Sequence, residues 1–129
     1  MKTARVLVVD DEPDLCHLIK RYLERIGHQV ETALSGEEAW AAICRPTALF
    51  DVYLIDMTLP GIQGDELAER ILSGQPGARI ILSSGYAAER VDLQFTRPGI
   101  RFLNKPYLPK ELAELIEALA LESPREVPR

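Results

Sequence analysis

Cysteine and histidine are scarce in this sequence, which contains two of each among its 129 residues. Cys16 and Cys44 stand alone, without C-x-x-C spacing, and we interpret them as small buried or half-buried thiols. His17 falls in a helical pattern and His28 in a turn, and neither has a partner at ligand spacing. We therefore expect no catalytic role for these four residues.

Long apolar runs and basic segments are also absent. The longest apolar runs have the length of a strand, and the start "MKTAR" lacks the apolar core of a signal peptide. The formal net charge is -5 and the pI is about 5.1, without the basic patch or arm that direct binding to nucleic acid usually requires. We expect a cytoplasmic protein that neither inserts into a membrane nor binds nucleic acid directly.

What is present is the composition of an ordinary globular domain, with 47% hydrophobic and 27% charged residues. A chain of this length can bury roughly two-thirds of the surface that it exposes when unfolded. We predict a single domain over residues 1–122, followed by a frayed C-terminal tail or linker stub over residues 123–129.

Apolar runs of strand length alternate with segments of helical periodicity. Strands are predicted at residues 5–9, 29–33, 51–56, 79–83 and 100–104. The first helix begins at Pro13 and has the apolar stripe Leu15, Leu18, Ile19, Tyr22, Leu23 and Ile26, while the second begins with the capping-box pair Ser35 and Glu38. Further helices are predicted around residues 67–72, within 87–93 and from 111. This alternation indicates an α/β fold with a doubly wound parallel sheet and helices on both faces.

Polar residues follow or end four of the predicted strands: Asp10 and Asp11, then Asp56, Ser84 and Lys105. Any one of them alone would more often be a helix cap or a turn residue. The carboxyl ends of parallel strands meet at one edge of a sheet, where ligands bind in doubly wound folds. We therefore predict a common site at that edge.

Four segments in this order and spacing carry a resemblance over essentially the whole chain: "VVDDE" at 8–12, "LIDMTLPGIQG" at 54–64, "ILSSGY" at 81–86 and "FLNKPY" at 102–107. With them the sequence resembles the receiver domain of two-component response regulators, of the CheY-like superfamily. "SGYA" and "NKPYLPKEL" resemble the receivers of hybrid histidine kinases. The resemblance implies a flavodoxin-like sheet with five strands in the order 2-1-3-4-5.

The resemblance also implies the roles of the polar residues. Asp56 would be the phosphoacceptor, and Asp10, Asp11, Asp56 and the backbone carbonyl of Thr58 would hold Mg²⁺ or Mn²⁺ as oxygen ligands. Lys105 and a hydroxyl would assist phosphoryl transfer. Ser84 is the expected hydroxyl, with Ser83 as the competing candidate.

Other family positions predict how the signal is held and transmitted. Ser84 and Phe102 would form the switch, although periodicity alone makes Phe102 a packed strand residue. The side chains of Thr58 and Tyr86 would govern the access of water to the phosphoryl group. The peptide bond before Pro106 is expected to be cis. A short helix before Pro98 suggests that residues 86–99 are mobile and contribute to the output surface.

The expected function is a phosphorylation-activated signalling switch that accepts a phosphoryl group from a histidine kinase or a phosphotransfer protein. Apart from Mg²⁺-dependent self-phosphorylation and slow self-dephosphorylation, no enzyme activity is expected. The downstream partner is undefined, and the protein is expected to be a monomer or a weak phosphorylation-dependent dimer. Two alternatives stay open from the residues. One is a phosphatase of the haloacid dehalogenase type, although such enzymes have a D-x-D motif and "DDE" in this sequence has glutamate in the third position. The other is an adaptor that works without phosphorylation.

Overall fold

A computed structural model describes residues 3–85 and 99–121 of the chain. The strands are β1 (Arg5–Val9), β2 (Gln29–Ala33), β3 (Val52–Asp56), β4 (Ile80–Ser84) and β5 (Ile100–Asn104). The helices within these ranges are α1 (Pro13–Arg25), α2 (Gly36–Ile43), α3 (Gly64–Gly74) and α4 (Pro109–Leu121). The helix predicted within residues 87–93, Tyr86, most of the segment 86–99 and the tail 123–129 lie outside the described residues. No helix in the described ranges is both long and apolar enough to span a membrane.

The five strands form one parallel sheet in the order β2-β1-β3-β4-β5, which confirms the predicted topology. β1 and β3 pair in register from Val6 opposite Val52 to Val9 opposite Ile55. Asp56 lies opposite Ser83 on β4. The carboxyl ends of the strands therefore meet at one edge, as the alternation of elements predicts.

Alternate residues of each strand face opposite sides of the sheet, so the core has two layers. Leu7 and Val9 of β1 pack on the side covered by α2 and α3. Val6 and Val8 pack on the side covered by α1 and α4. Every residue of β3 and β4 is buried, as expected for central strands of a parallel sheet with helices on both faces.

The first helix contacts the sheet with a narrower stripe than its sequence predicts. Cys16, Ile19 and Leu23 are buried, whereas Leu18 is 53% exposed. Successive helical residues are rotated by about 100°, so Leu18 points well away from the face that Ile19 presents to the sheet. The inclusion of Leu18 in the buried stripe was wrong, as was the expectation that Cys44, which is exposed, would be at least half-buried.

The capping-box interpretation of α2 is confirmed for its Ser35 half, while the Glu38 carboxylate bonds one residue earlier than the N-cap N–H of a standard capping box. The Ser35 hydroxyl oxygen accepts a hydrogen bond from the Glu38 N–H at 3.1 Å. The Glu38 carboxylate in turn accepts one from the N–H of Leu34, the residue before the cap. The Ser35 bond satisfies a backbone donor that the first helical turn would otherwise leave unpaired, and the Glu38 bond holds the chain just before the cap, so the two mark where α2 begins.

His28 ties the turn before β2 to the start of β1. Its side chain is fully buried, and Nδ1 accepts a hydrogen bond from the buried Ala4 N–H at 3.0 Å. The other ring nitrogen, Nε2, lies 3.6 Å from Oε2 of Glu117 on α4. His28 is therefore a packed residue in this turn, and it contacts both the start of β1 and α4.

We expect His28→Ala to lower the free energy of unfolding by about 2 kcal/mol, because it leaves the buried Ala4 N–H without an acceptor. Urea denaturation followed by circular dichroism would measure the change. Glu117→Gln is the matched control, and it should change stability by less than about 0.5 kcal/mol since it leaves the Ala4 bond intact. Equal losses in the two variants would show that the contact with Glu117, and not the Ala4 bond, stabilises the turn.

Candidate functional site

Three carboxylates meet at the carboxyl edge of the sheet. Asp10 and Asp56 are 2% and 5% exposed, and Asp11 beside them is exposed. One carboxylate oxygen from each lies within 4.8 Å of the others. Burying ionised groups this close together is unfavourable unless positive charge accompanies them. The structure thus brings together the three acids that the sequence predicted to converge.

Backbone donors orient the two buried carboxylates. Oδ1 of Asp10 accepts a hydrogen bond from the Glu12 N–H at 3.0 Å, at the point where β1 gives way to α1. Oδ1 of Asp56 accepts one from the Thr58 N–H at 3.1 Å, directly after β3. Each turn therefore fixes one oxygen of its carboxylate and leaves the other oxygen facing the site.

Lys105 lies between those two remaining oxygens. Its Nζ donates to Oδ2 of Asp10 at 2.8 Å and to Oδ2 of Asp56 at 3.2 Å. Its own backbone N–H donates to the Ser84 carbonyl at 2.8 Å, which extends the pairing of β4 and β5 by one residue. The Lys105–Pro106 peptide bond is cis, as the family resemblance predicted.

Burial and the neighbouring charges act in opposite directions on the two partners. Burial raises the pKa of Asp56, and Asp10 raises it further, against the lowering effects of the Thr58 hydrogen bond and of Lys105. Burial lowers the pKa of Lys105, but the hydrogen bonds and charges of Asp10 and Asp56 outweigh it and hold this pKa above its ordinary value. One ammonium pairs with two of the three clustered carboxylates, so the site has excess negative charge that a divalent cation would neutralise.

The two candidate hydroxyls are adjacent at the end of β4. Ser84 is 9% exposed and lies opposite Asn104, while Ser83 is 1% exposed and lies opposite Asp56. The Ser83 hydroxyl has no hydrogen-bond partner among residues 3–85 and 99–121. Both residues reach the edge that carries the acids, and the choice of Ser84 stays a prediction.

The predicted switch and lifetime residues divide between described and undescribed parts of the chain. Phe102 is half-buried on β5 and packs against the core layer under α2 and α3. Thr58 is exposed, and its backbone N–H donates a hydrogen bond to Asp56. Tyr86 lies outside the described residues.

Two residues at the site were not singled out as part of it by sequence reasoning. The thiol of Cys16 donates a hydrogen bond to the Asp10 carbonyl at 3.3 Å, and burial, aided by the charge of Asp10, raises its pKa to about 11. The Tyr107 hydroxyl is buried without a hydrogen-bond partner in the described part of the chain, and burial raises its pKa. The sequence signal is weak in both cases, because Cys16 is an isolated cysteine and Tyr107 stands in the loop between β5 and α4 without a polar partner at a recognisable spacing. A neutral Cys16 thiol is a poor nucleophile, which agrees with its expected structural role.

A family model for the response regulator receiver domain matches residues 6–117. The chain is 33% identical to the transcriptional regulatory protein ResD of Bacillus subtilis, covering 89% of this chain and 47% of that protein. It is 31% identical to the response regulator GtcR of Aneurinibacillus migulanus, covering 88% of this chain and 46% of that protein. The chain thus spans about half the length of these curated relatives.

Solved structures with the same fold include receivers from two further organisms. A CheY-like response regulator receiver domain from Methanospirillum hungatei has a TM-score of 0.86 and 31% identity, covering 98% of this chain and 100% of that one. The response regulator TrrA of Thermotoga maritima, in complex with Mg²⁺ and beryllofluoride, has a TM-score of 0.78 and 35% identity, covering 92% and 99%. The flavodoxin-like fold predicted from the sequence is therefore confirmed by comparison as well as by topology.

Proposed function

The chain belongs to the response regulator receiver domain family, whose members are phosphorylation-activated switches of two-component systems, and we propose that Asp56 accepts its phosphoryl group. The observation that supports this role is the position of the Asp56 carboxylate, which lies between the Thr58 N–H and the Lys105 ammonium beside two further acids. Membership of this family also removes the support for the haloacid dehalogenase alternative.

We further propose that Asp10, Asp11 and Asp56 hold Mg²⁺ or Mn²⁺, with the Thr58 carbonyl as an additional ligand. The donor set fits such a cation, because carboxylate and carbonyl oxygens are the ligands that these hard cations prefer. The excess negative charge at the site supports the same assignment. When bound, the cation supplies positive charge that screens the acids and the incoming phosphoryl oxygens.

The residues of the chain divide the chemistry between them. A carboxylate oxygen of Asp56 attacks phosphorus, so that an O–P bond forms while the N–P bond to a donor phosphohistidine breaks and its electron pair returns to the imidazole. A carboxylate has no proton to lose, so the attack needs no general base. Lys105 and the Ser84 hydroxyl donate hydrogen bonds to phosphoryl oxygens, where the negative charge is spread in the transition state.

The donor that we propose is a sensor histidine kinase or a histidine phosphotransfer protein in the cytoplasm. We also propose slow Mg²⁺-dependent self-phosphorylation from small donors and slow self-dephosphorylation, with no turnover of other substrates. The chain acts as a monomer or as a weak dimer when phosphorylated.

We expect phosphorylation by acetyl phosphate to require Mg²⁺, and we expect Asp11→Ala to weaken Mg²⁺ binding by about tenfold, because it removes a direct carboxylate ligand. Calorimetric titration with Mg²⁺ and ³¹P NMR of the labelled protein would measure the two effects. Asp14→Ala, which removes an exposed acid from the first turn of α1, is the matched control. Equal Mg²⁺ affinities in the two variants would contradict the proposed ligand set.

We also propose that the side chains of Thr58 and Tyr86 slow the loss of the phosphoryl group. Neither side chain is a carboxylate or an amide that could orient an attacking water, and a tyrosine is large enough to shield the aspartyl phosphate. Tyr86→Ala should therefore shorten the lifetime of the phosphorylated protein severalfold, as measured by decay of ³²P label. Tyr86→Phe keeps the bulk and should decay like the parent. An alanine variant with the parental lifetime would contradict this proposal.

A further inference from the structure

The loop between β3 and α3, residues 57–63, lies directly against the start of α2. A Cβ atom built on Gly36 would fall 2.5 Å from the Ile62 carbonyl oxygen and 2.6 Å from its Cβ. Any side chain at position 36 would therefore force the loop outward. The loop that follows Asp56 thus packs directly on the first turn of α2.

A hydrogen bond from the loop to Glu37 holds the loop in this position. Its Oε2 accepts a hydrogen bond from the Ile62 N–H at 3.2 Å. The same carboxylate lies against Gly61, where a Cβ would clash with both of its oxygens. Gly61 has φ of +70°, a left-handed conformation that glycine adopts without steric cost. The positive φ therefore favours glycine at position 61, whereas the Glu37 carboxylate, at the end of a flexible side chain, could move away from a larger residue.

Two further contacts hold the loop, one beside Asp56 and one in the core. The Gly64 N–H donates to the Met57 carbonyl at 3.2 Å, and a Cβ on Gly64 would clash with the Asp56 carbonyl. Leu59 is 3% exposed in the core. Between these fixed points lies Thr58, whose N–H binds Oδ1 of Asp56. The Gly64–Met57 bond connects residues 61–64 directly to the residue after Asp56, so a displacement of Ile62 can reach the backbone beside the Asp56 carboxylate without passing through the buried Leu59.

We propose that Glu37 is a positioning residue for the phosphorylation site. It touches no reacting atom, and it acts by holding the Ile62 N–H so that the Thr58 backbone keeps its place beside Asp56. Hydrogen bonds from a backbone N–H to a carboxylate are stronger than neutral ones, although exposure to solvent reduces their contribution. This inference rests on the proposed role of Asp56 and of the Thr58 carbonyl in binding Mg²⁺.

The competing explanation is that Glu37 only stabilises α2 as an acid in its first turn, where negative charge interacts favourably with the helix dipole. Three variants separate the two. Glu37→Ala removes both the charge and the hydrogen bond. Glu37→Asp keeps the charge but is too short to reach Ile62, and Glu37→Gln keeps an acceptor of the same length without the charge.

The experiment measures Mg²⁺ affinity, the rate of labelling by acetyl phosphate and the melting temperature of each full-length variant. We expect Glu37→Ala and Glu37→Asp to weaken Mg²⁺ binding and to slow labelling by about fivefold, the loss expected for one exposed hydrogen bond. Glu37→Gln should stay within about twofold of the parent. Glu66→Ala, which removes an exposed acid from the first turn of α3, should match the parent in Mg²⁺ affinity and labelling rate, whereas loss of its contact with Arg70 can lower the melting temperature.

The outcomes distinguish this inference from the function on which it rests. A parent protein that neither binds Mg²⁺ nor takes label overturns the proposed function and this inference with it. A normal parent with unchanged Mg²⁺ affinity and labelling in Glu37→Ala and Glu37→Asp overturns the positioning role alone. Lower melting temperatures without changes at the site would assign Glu37 a structural role only.

Discussion

Asp56→Asn is expected to abolish phosphorylation and, in the absence of metal, to make the protein more stable. The amide of asparagine has no anionic oxygen to attack phosphorus, so no residual labelling should exceed background. The gain in stability follows from the environment of the carboxylate, which is buried beside Asp10. The carboxylate that phosphorylation requires is thus expected to lower the stability of the metal-free protein.

The sign of the stability effect follows from the pKa of Asp56, which burial raises above its ordinary value. Such a carboxyl has a higher pKa in the folded chain than in the unfolded chain. In the pH window between these two pKa values, the folded chain therefore binds more protons than the unfolded chain. Stability therefore falls as the pH rises through that window, and the ionised carboxylate destabilises the fold at neutral pH. Asparagine removes this dependence, so the advantage of the variant should be present at pH 7 and vanish in acid below the ordinary aspartate pKa.

Two measurements test this prediction. Urea denaturation of the parent and of Asp56→Asn at several pH values measures the change in stability, and labelling by acetyl phosphate measures the loss of phosphorylation. Asp65→Asn is the control, since Asp65 is an exposed acid in the first turn of α3. Label that persists on Asp56→Asn would assign the phosphoacceptor to another residue. A variant that is no more stable than the parent at pH 7 would show that Lys105 and the Thr58 hydrogen bond fully offset the burial of this charge.

The acidic site could be predicted because each of its residues stands at the end of an apolar run. Asp10, Asp56 and Lys105 are distant in sequence, but a parallel sheet aligns the ends of its strands whatever the length of the connections. Alternation of strands and helices thus implied proximity without any knowledge of side-chain contacts. The cis bond before Pro106 was predictable only through the family resemblance.

Other features depend on how the elements pack, which periodicity does not encode. Leu18 belongs to an apolar stripe in sequence but is exposed, because the contact of α1 with the sheet is narrower than the stripe. Glu37 reads as an ordinary acid in a first helical turn, and its bond to Ile62 spans 25 residues. That contact depends on Gly36, whose missing side chain lets the Ile62 backbone approach α2. A contact of this kind between distant residues is indicated in the sequence only by a glycine, and the glycine alone does not show which contact it permits.

Lys105→Ala should slow phosphorylation by about a hundredfold or more while leaving Mg²⁺ binding intact. The Lys105 ammonium lies 2.8 Å from Asp10 and 3.2 Å from Asp56, so it is placed to donate to a phosphoryl oxygen bound between them. Loss of one such preorganised donor typically costs two to three orders of magnitude in rate. The carboxylates themselves are unchanged, so their affinity for Mg²⁺ should not fall.

The same substitution should destabilise the metal-free protein, because it leaves two buried carboxylates without their counter-ion. The lysine side chain is 21% exposed, so we expect a loss of about 1–3 kcal/mol, below that of a fully buried pair. Since the pKa of Lys105 is raised on folding, its contribution is fully present below the ordinary lysine pKa and is lost only as the pH rises through the folded value. The loss in Lys105→Ala should therefore be constant around neutral pH.

Mg²⁺ provides the discriminating measurement for Lys105, because the cation can replace the missing positive charge in the fold but not the hydrogen bond to the phosphoryl group. Adding Mg²⁺ should raise the melting temperature of Lys105→Ala more than that of the parent, while the slow labelling persists at saturating Mg²⁺. Lys110→Ala, in the first turn of α4, removes a lysine outside the site and should behave as the parent. Recovery of the parental labelling rate in saturating Mg²⁺ would contradict a direct role and reduce Lys105 to a counter-ion of the acidic site.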